Sequence, residues 1–394
     1  MPIYLDYNAC APLRPEARQA MADFAAVADG QANPASVHRA GQRARRALEL
    51  ARAQVADLIG AAPRQVAFTS GGTESNNLAI FGVANALVGR RKIISAAIEH
   101  ASILAPIARL NTRGFEVVRI APDRDGRVPL ESVARALDEN SALVTLGLAN
   151  AEVGTIQDLA NLSARIKSVG AIFHVDAAQA LGRMAVSVDA LGCDLMTLSG
   201  HKLGAPSGIG ALYVGDRAKL IPLTLGGPQE GGLRAGTPNL LGAIAFGTVA
   251  IAVASRLDAE IARMDALARR LLDALMRSIP GLVLNGPVEG RIPNTLNLTF
   301  PGVLGESLLI ALDLNGVEVS MGSACAAGAV EPSHVLIAMG RSAAQARSSL
   351  RLSLGWATTE AEVDRAAEII VETWRTVAAS ERPSGEAPPH QALP

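Results

Sequence analysis

Ser199-Gly200-His201-Lys202 closes an apolar, strand-like run, Leu195-Met196-Thr197-Leu198, and opens onto Leu203-Gly204-Ala205-Pro206-Ser207-Gly208. The 394-residue chain has 36 basic side chains, but only four are lysines: Lys92, Lys167, Lys202 and Lys219. Arginine could replace a lysine that only carries charge. It could not replace one that must lose its proton and form a Schiff base. On spacing alone a solvated loop lysine explains the stretch equally well, so its surroundings have to decide.

Working outward, apolar runs rich in β-formers appear at 66–69, 92–95, 116–120, 143–148, 171–175 and 194–198, mostly separated by helix-like segments. That alternation predicts an α/β fold with a mostly parallel sheet covered on both faces. Ligands of such sheets bind beyond the carboxyl ends of the strands. Residues 40–59 read as an amphipathic helix ended by Gly60, and 240–254 as a buried helix too short to span a bilayer. After about residue 255 the pattern changes. A long helix at 259–279, strands at 282–284, 295–299 and 317–320, and a helix at 361–377 suggest a smaller α+β domain. The expected division is a large cofactor-binding domain at 15–255, a small domain from 1–14 and 256–380, and a disordered tail at 381–394. Residues 1–14 read as irregular.

Basic and acidic residues nearly cancel, 36 against 37, without an extended basic cluster, which argues against nucleic acid as the main partner. The first residues lack the basic and apolar regions of a signal peptide. Cysteines at 10, 193 and 325 are too scattered for a disulfide framework or a metal cluster. A cytoplasmic protein with no membrane partner is the expectation.

Three motifs sit at predicted strand ends. Ser70-Gly71-Gly72-Thr73-Glu74-Ser75-Asn76 opens a helix, and its glycines and free amides suit an anion, though an ordinary helix cap explains it too. His174-Val175-Asp176 places an acid where it could pair with a protonated ring nitrogen or cap the next helix. Glu99-His100 offers a ring that could stack or move protons, or simply be polar surface. A phosphate cradle, an acid and then a lysine describe a pyridoxal phosphate enzyme. Cys325 lies among small residues in Met321-Gly322-Ser323-Ala324-Cys325-Ala326-Ala327-Gly328, a setting for an accessible thiol on a mobile loop. Cys193, beside apolar neighbours, suits a buried small hydrophobe.

Together with Tyr4-Leu5-Asp6-Tyr7-Asn8-Ala9, Asn33-Pro34-Ala35-Ser36, Gly322-Ser323-Ala324-Cys325 and Arg347-Ser348-Ser349-Leu350-Arg351-Leu352-Ser353, these motifs resemble the cysteine desulfurases of the NifS/IscS group. Those are fold type I pyridoxal phosphate enzymes of the class V aminotransferase-like family, and the resemblance runs from about Tyr4 to Trp374. It implies that Lys202 holds pyridoxal 5'-phosphate and moves the substrate's α-proton, and that Cys325 receives sulfur from L-cysteine. It also implies that His100 is the acid/base group for the thiol. Gly72, Thr73, Ser199 and His201 would hold the phosphate, Asp176 the ring nitrogen and Gln179 the ring hydroxyl. Arg351 and Asn33 would bind substrate. Thr237 would reach the phosphate of a second subunit in a homodimer. The sulfur acceptor would be an iron–sulfur scaffold or a similar protein, which the sequence does not name. A selenocysteine lyase or another class V enzyme is one alternative, and a non-catalytic pyridoxal-binding scaffold another.

Two positions depart from the family pattern. Ala151, in Asn150-Ala151-Glu152, stands where the family has an asparagine that binds the cofactor hydroxyl and helps the substrate carboxylate. Cys10-Ala11 stands where two threonines are common.

Overall fold

The computed structural model describes residues 2–27, 32–87, 89–322 and 331–381. Seven strands form the central sheet: β1 Val66–Thr69, β2 Lys92–Ala96, β3 Glu116–Ile120, β4 Ser141–Gly147, β5 Ile172–Asp176, β6 Leu195–Ser199 and β7 Gly210–Val214. Their order is β1-β7-β6-β5-β4-β2-β3. Only β7 pairs antiparallel, to β1 and β6; the pairings among β2 to β6 are parallel. β4 to β6 are almost wholly buried, which explains their continuous apolar sequences.

The predicted runs at 66–69 and 116–120 match β1 and β3, and the others lie within a few residues of β2, β4, β5 and β6. β7 escaped the sequence reading. It begins on a glycine just after a Gly/Pro-rich segment, where the turn signal dominates. That glycine is required: a Cβ on Gly210 would fall 2.6 Å from Gly71 Cα, where the phosphate-type turn crosses the strand.

Helix Arg39–Ile59 ends at Gly60, in the left-handed region at φ 70°. It packs with Leu240–Ala254 against one face of the sheet, sharing a core with Phe173, Met196 and Leu198. Helices Gly72–Ala86 and Ala101–Asn111 cover the other face. Among the described residues no single helix is long and apolar enough to cross a membrane.

A second core gathers Ile3 and Leu5 with Leu271, Leu275, Leu298, Phe300, Leu350 and Ile370. It is built on an antiparallel sheet with Thr295–Thr299 between Val283–Asn285 and Ser349–Ser353. Here the N-terminal segment departs from the irregular reading. Ile3–Tyr4 pairs parallel with Val317–Glu318, and Asp6 bridges to Ser353. Ser349–Ser353 also went unread as a strand; its Leu350 and Leu352 enter the core while serines and an arginine alternate with them. The expected tail lies outside the described residues from position 382 onward.

Candidate active site

Helix Gly72–Ala86 starts directly after β1. Gly71 takes φ 150°, and a Cβ there would meet nothing within 4 Å, so the first amides of the helix border open space. A Cβ on Gly72 would come 3.4 Å from Ser199 Cβ, which brings this turn against the end of β6. Ser199 Oγ lies 3.2 Å from His201 Nδ1. Burial, then the neighbouring Lys202 and His100, depress the His201 ring to about 4, so it is neutral there. At the end of β5, Asp176 Oδ1 accepts the Ala178 amide at 2.9 Å and Oδ2 accepts Asn76 Nδ2 at 2.8 Å. Asn76 is buried, and its Oδ1 has no partner. These groups fit a phosphorylated pyridine ring: free helix amides with Ser199 and His201 at one end, and an oriented carboxyl at the other.

Lys202 lies in the short helix Gly200–Leu203 and donates to the Asn8 carbonyl at 2.6 Å and the Ala9 carbonyl at 2.7 Å. Among the described residues no carboxylate pairs with it. Burial first, then the Arg183 and Arg351 charges, push its amine down from 10.5 to about 8. It can therefore act as a base near neutral pH, which the loop-lysine reading did not require. Arg183 is buried and donates to the Gln179 carbonyl at 3.0 Å, to Gln179 Oε1 and to the Tyr7 carbonyl at 3.3 Å. Gln179 in turn donates one amide hydrogen to the Asn8 carbonyl at 3.0 Å and keeps a second for another acceptor.

Arg351 comes from the middle of Ser349–Ser353. Its guanidinium donates to Asp6 Oδ1 at 2.6 Å and to the Ala151 carbonyl at 3.3 Å, and its Nε is buried without a partner. An incoming carboxylate would compete with Asp6 for this fork. Asn8 Nδ2 reaches the same Ala151 carbonyl at 3.0 Å, so position 151 sits between the N-terminal segment and Arg351. Beside it, Glu152 is buried and its carboxyl pKa is raised by that burial, with the Ser333 hydroxyl, His334 and Arg351 opposing the shift. Ser333 Oγ donates to Glu152 Oε2, and a Cβ on Gly322 would fall 2.7 Å from the same oxygen. Both flanks of the segment containing Cys325 therefore close on one carboxyl. Cys325 itself lies outside the described residues.

His100 caps helix Ala101–Asn111, and burial pushes its pKa down, with Lys202 and His334 adding and Asp176 opposing. Its neighbour Glu99 is buried, accepts the Gly147 amide at 2.9 Å and is raised to about 8, chiefly by burial with the Asp176 charge adding. Two expected residues are not gathered here. Asn33 is exposed and its Oδ1 holds the Ala35 amide of its own turn. Thr237 is exposed beyond the short strand Arg234–Ala235. Cys10 is exposed next to Ala9, while Cys193 is buried and raised to about 12 by that burial, in keeping with a structural thiol. The sequence reading missed Asp6, Asn8, Asn76, Ser102 and Arg183 as site residues. The first three lay inside quoted motifs, but their roles depend on partners far away in the chain.

The family model described as aminotransferase class-V matches residues 3–366. The cysteine desulfurase IscS of Dictyoglomus turgidum is 42% identical over 379 residues, covering 95% of this chain and 96% of the relative. Among solved structures, a NifS-like protein superposes with a TM-score of 0.89 at 33% identity, covering 95% of this chain and all of that one. A structure described as SspA in complex with cysteine matches with a TM-score of 0.78 at 32% identity, over 89% of this chain and 98% of that one. The chain belongs to the class-V aminotransferase family and, within it, to the NifS/IscS-type cysteine desulfurases.

Proposed function

We propose that this chain, with pyridoxal phosphate bound, takes sulfur from L-cysteine, releases L-alanine and leaves a persulfide on Cys325 for iron–sulfur cluster assembly or another sulfur-transfer route. The observation that carries this reading is the Lys202 amine, depressed to about 8 and held by two carbonyls between the Asp176 and Arg351 sides of the site. When bound, the cofactor supplies an electron sink for charge developing at the substrate's α carbon. Lys202 is the covalent anchor and the base that takes the α-proton. The amides of Gly72 and Thr73, with Ser199 and His201, hold the phosphate. Asp176, oriented by Asn76 and the Ala178 amide, would hold the ring nitrogen, and Gln179 would offer its free amide hydrogen to the ring oxygen. Arg351 exchanges Asp6 for the substrate carboxylate.

The thiolate of Cys325 attacks the substrate sulfur. One S–S bond forms and the substrate's Cβ–S bond breaks, and protonation of the remaining carbon skeleton gives alanine. The balance is L-cysteine plus a thiol to L-alanine plus a persulfide, without an external oxidant. Glu152 supports this assignment: it accepts from Ser333, lies against Gly322 and adjoins Ala151, beside Arg351. The active unit is a cytoplasmic homodimer, with each Thr237 serving the phosphate site of the other copy.

The test is turnover of L-cysteine with a dithiol reductant, following sulfide and alanine together. Equal yields, abolished in Cys325→Ala while the cofactor absorbance is kept, are expected. Alanine formation that survives Cys325→Ala, or bound cofactor without turnover, would overturn the proposal.

A further inference from the structure

The His100 ring is held on one edge only. Its Nδ1 accepts the Ser102 backbone amide at 3.1 Å and lies 2.7 Å from the Ser102 hydroxyl. A backbone amide can only donate, so Nδ1 cannot bear a proton while this cap persists. The Ser102 hydroxyl must then donate to the same nitrogen, using its only hydrogen. Its oxygen accepts Asn76 Nδ2 at 2.8 Å, and the other hydrogen of that amide goes to Asp176 Oδ2 at 2.8 Å. The bonds form a chain that runs outward from the Asn76 amide, one hydrogen to Asp176 and the other to Ser102, whose hydroxyl donates to His100. Every hydrogen in it is assigned by the chemistry of its donor.

We propose that Asn76 and Ser102 are positioning residues that hold His100 as a neutral ring with its one proton on Nε2, making it a hydrogen-bond donor at this site and not the base for the Cys325 thiol. The proposal rests on the desulfurase reading above and changes one role within it. In this tautomer the lone pair faces the helix, and the nitrogen left open, Nε2, has no free pair to accept a proton. Among the described residues no partner holds Nε2. Taking up a second proton would force an N–H against the Ser102 amide. Burial disfavours protonation of the ring most; of the charged and titratable groups around it, Asp176 favours protonation, and Lys202 and His334 disfavour it. The Nε2–H suits an oxygen or sulfur acceptor on the bound ligand. The thiol proton must then leave by another route.

The test uses the holoenzyme with 15N-labelled histidine, His100→Asn identifying the signal. The expected result is an acceptor-type Nδ1 and a protonated Nε2 that stay unchanged between about pH 5 and 8, where an unconstrained histidine titrates. Ser102→Ala, which removes one of the two donors to Nδ1 and keeps the amide, is expected to weaken the acceptor signal and to raise the pH at which His100 first takes up a second proton. It should also lower kcat roughly tenfold with KM unchanged, the equivalent of one hydrogen bond. A protonated Nδ1 in the unmodified protein, or a His100 that becomes doubly protonated within the window, would overturn the proposal, as would a Ser102→Ala spectrum and pH profile identical to the original. Loss of equal sulfide and alanine production would instead count against the desulfurase reading, so the two failures are distinguishable.

Discussion

The two sides of the active site are built differently. The cofactor side uses the ends of β1, β5 and β6, strands of one sheet, and its turn and helix starts are set by local chain chemistry. The substrate side joins segments that are remote in sequence: Arg351 meets Asp6 across 345 positions and Ala151 across 200. One side is built on the ends of buried strands, with open helix amides and one unpartnered amide oxygen, Asn76 Oδ1. The other keeps an unpartnered guanidinium nitrogen and an internal ion pair between Arg351 and Asp6. The contrast predicts that cofactor-side changes abolish chemistry or stability, while substrate-side changes tune affinity.

The largest expected effect is in Lys202→Arg, which keeps the charge but cannot deprotonate. It should lower alanine production about a thousandfold, within the range for a lost acid/base group. Activity near the original level would break the comparison at its centre. Next is the sheet beneath the cofactor. His174 is fully buried between Thr145 and Thr197, at 2.8 and 3.0 Å, and burial depresses it to about 4. Below its ordinary 6.5 the unfolded chain takes up a proton and the folded chain does not until about pH 4. Stability present above that window should therefore fall through it with acid, by up to roughly 3 kcal/mol. Urea midpoints across this range should show the slope, and His174→Gln should flatten it.

On the substrate side, Arg351→Lys retains the charge and loses the fork. KM for L-cysteine should rise roughly thirtyfold, with kcat less affected, reflecting about 2 kcal/mol of charge-assisted hydrogen bonding. Steady-state kinetics showing an equal loss in kcat instead would place Arg351 in the chemistry. Ala151→Asn should lower KM about tenfold by restoring one hydrogen bond to a charged group. Unchanged KM and kcat would remove position 151 from the site. The smallest effect expected is electrostatic. Arg183 helps hold the Lys202 amine near 8, and removing a nearby like charge raises such an amine, so Arg183→Met should shift Lys202 labelling in the cofactor-free protein up by about one unit. A downward shift, or none, would contradict the assignment.

The same contrast explains what could be read in advance. β1, β2 and β4 to β6 were legible because they are almost wholly buried and mostly apolar, and the edge strand β3 because of its β-branched Val117, Val118 and Ile120. β7 and Ser349–Ser353 were not, because a glycine start hides one and alternating polar residues hide the other. Asp176 and Lys202 were legible because strand ends display them. Arg183 was not: it bonds carbonyl and amide oxygens, and no spacing rule finds such partners.

By itself the sequence determined the order of the strands along the chain, the turn that opens helix Gly72–Ala86, the uncommon lysine and the family to which these belong. Those features follow from local pattern: hydrophobic period, glycine where a backbone must pass closely, and a residue type that chemistry makes irreplaceable. The tertiary structure alone decided that Asp6 occupies Arg351, that Glu152 accepts from Ser333, and that a serine and an asparagine fix the proton on His100. Each of these is a hydrogen bond between groups with many possible partners, and only folding chooses one.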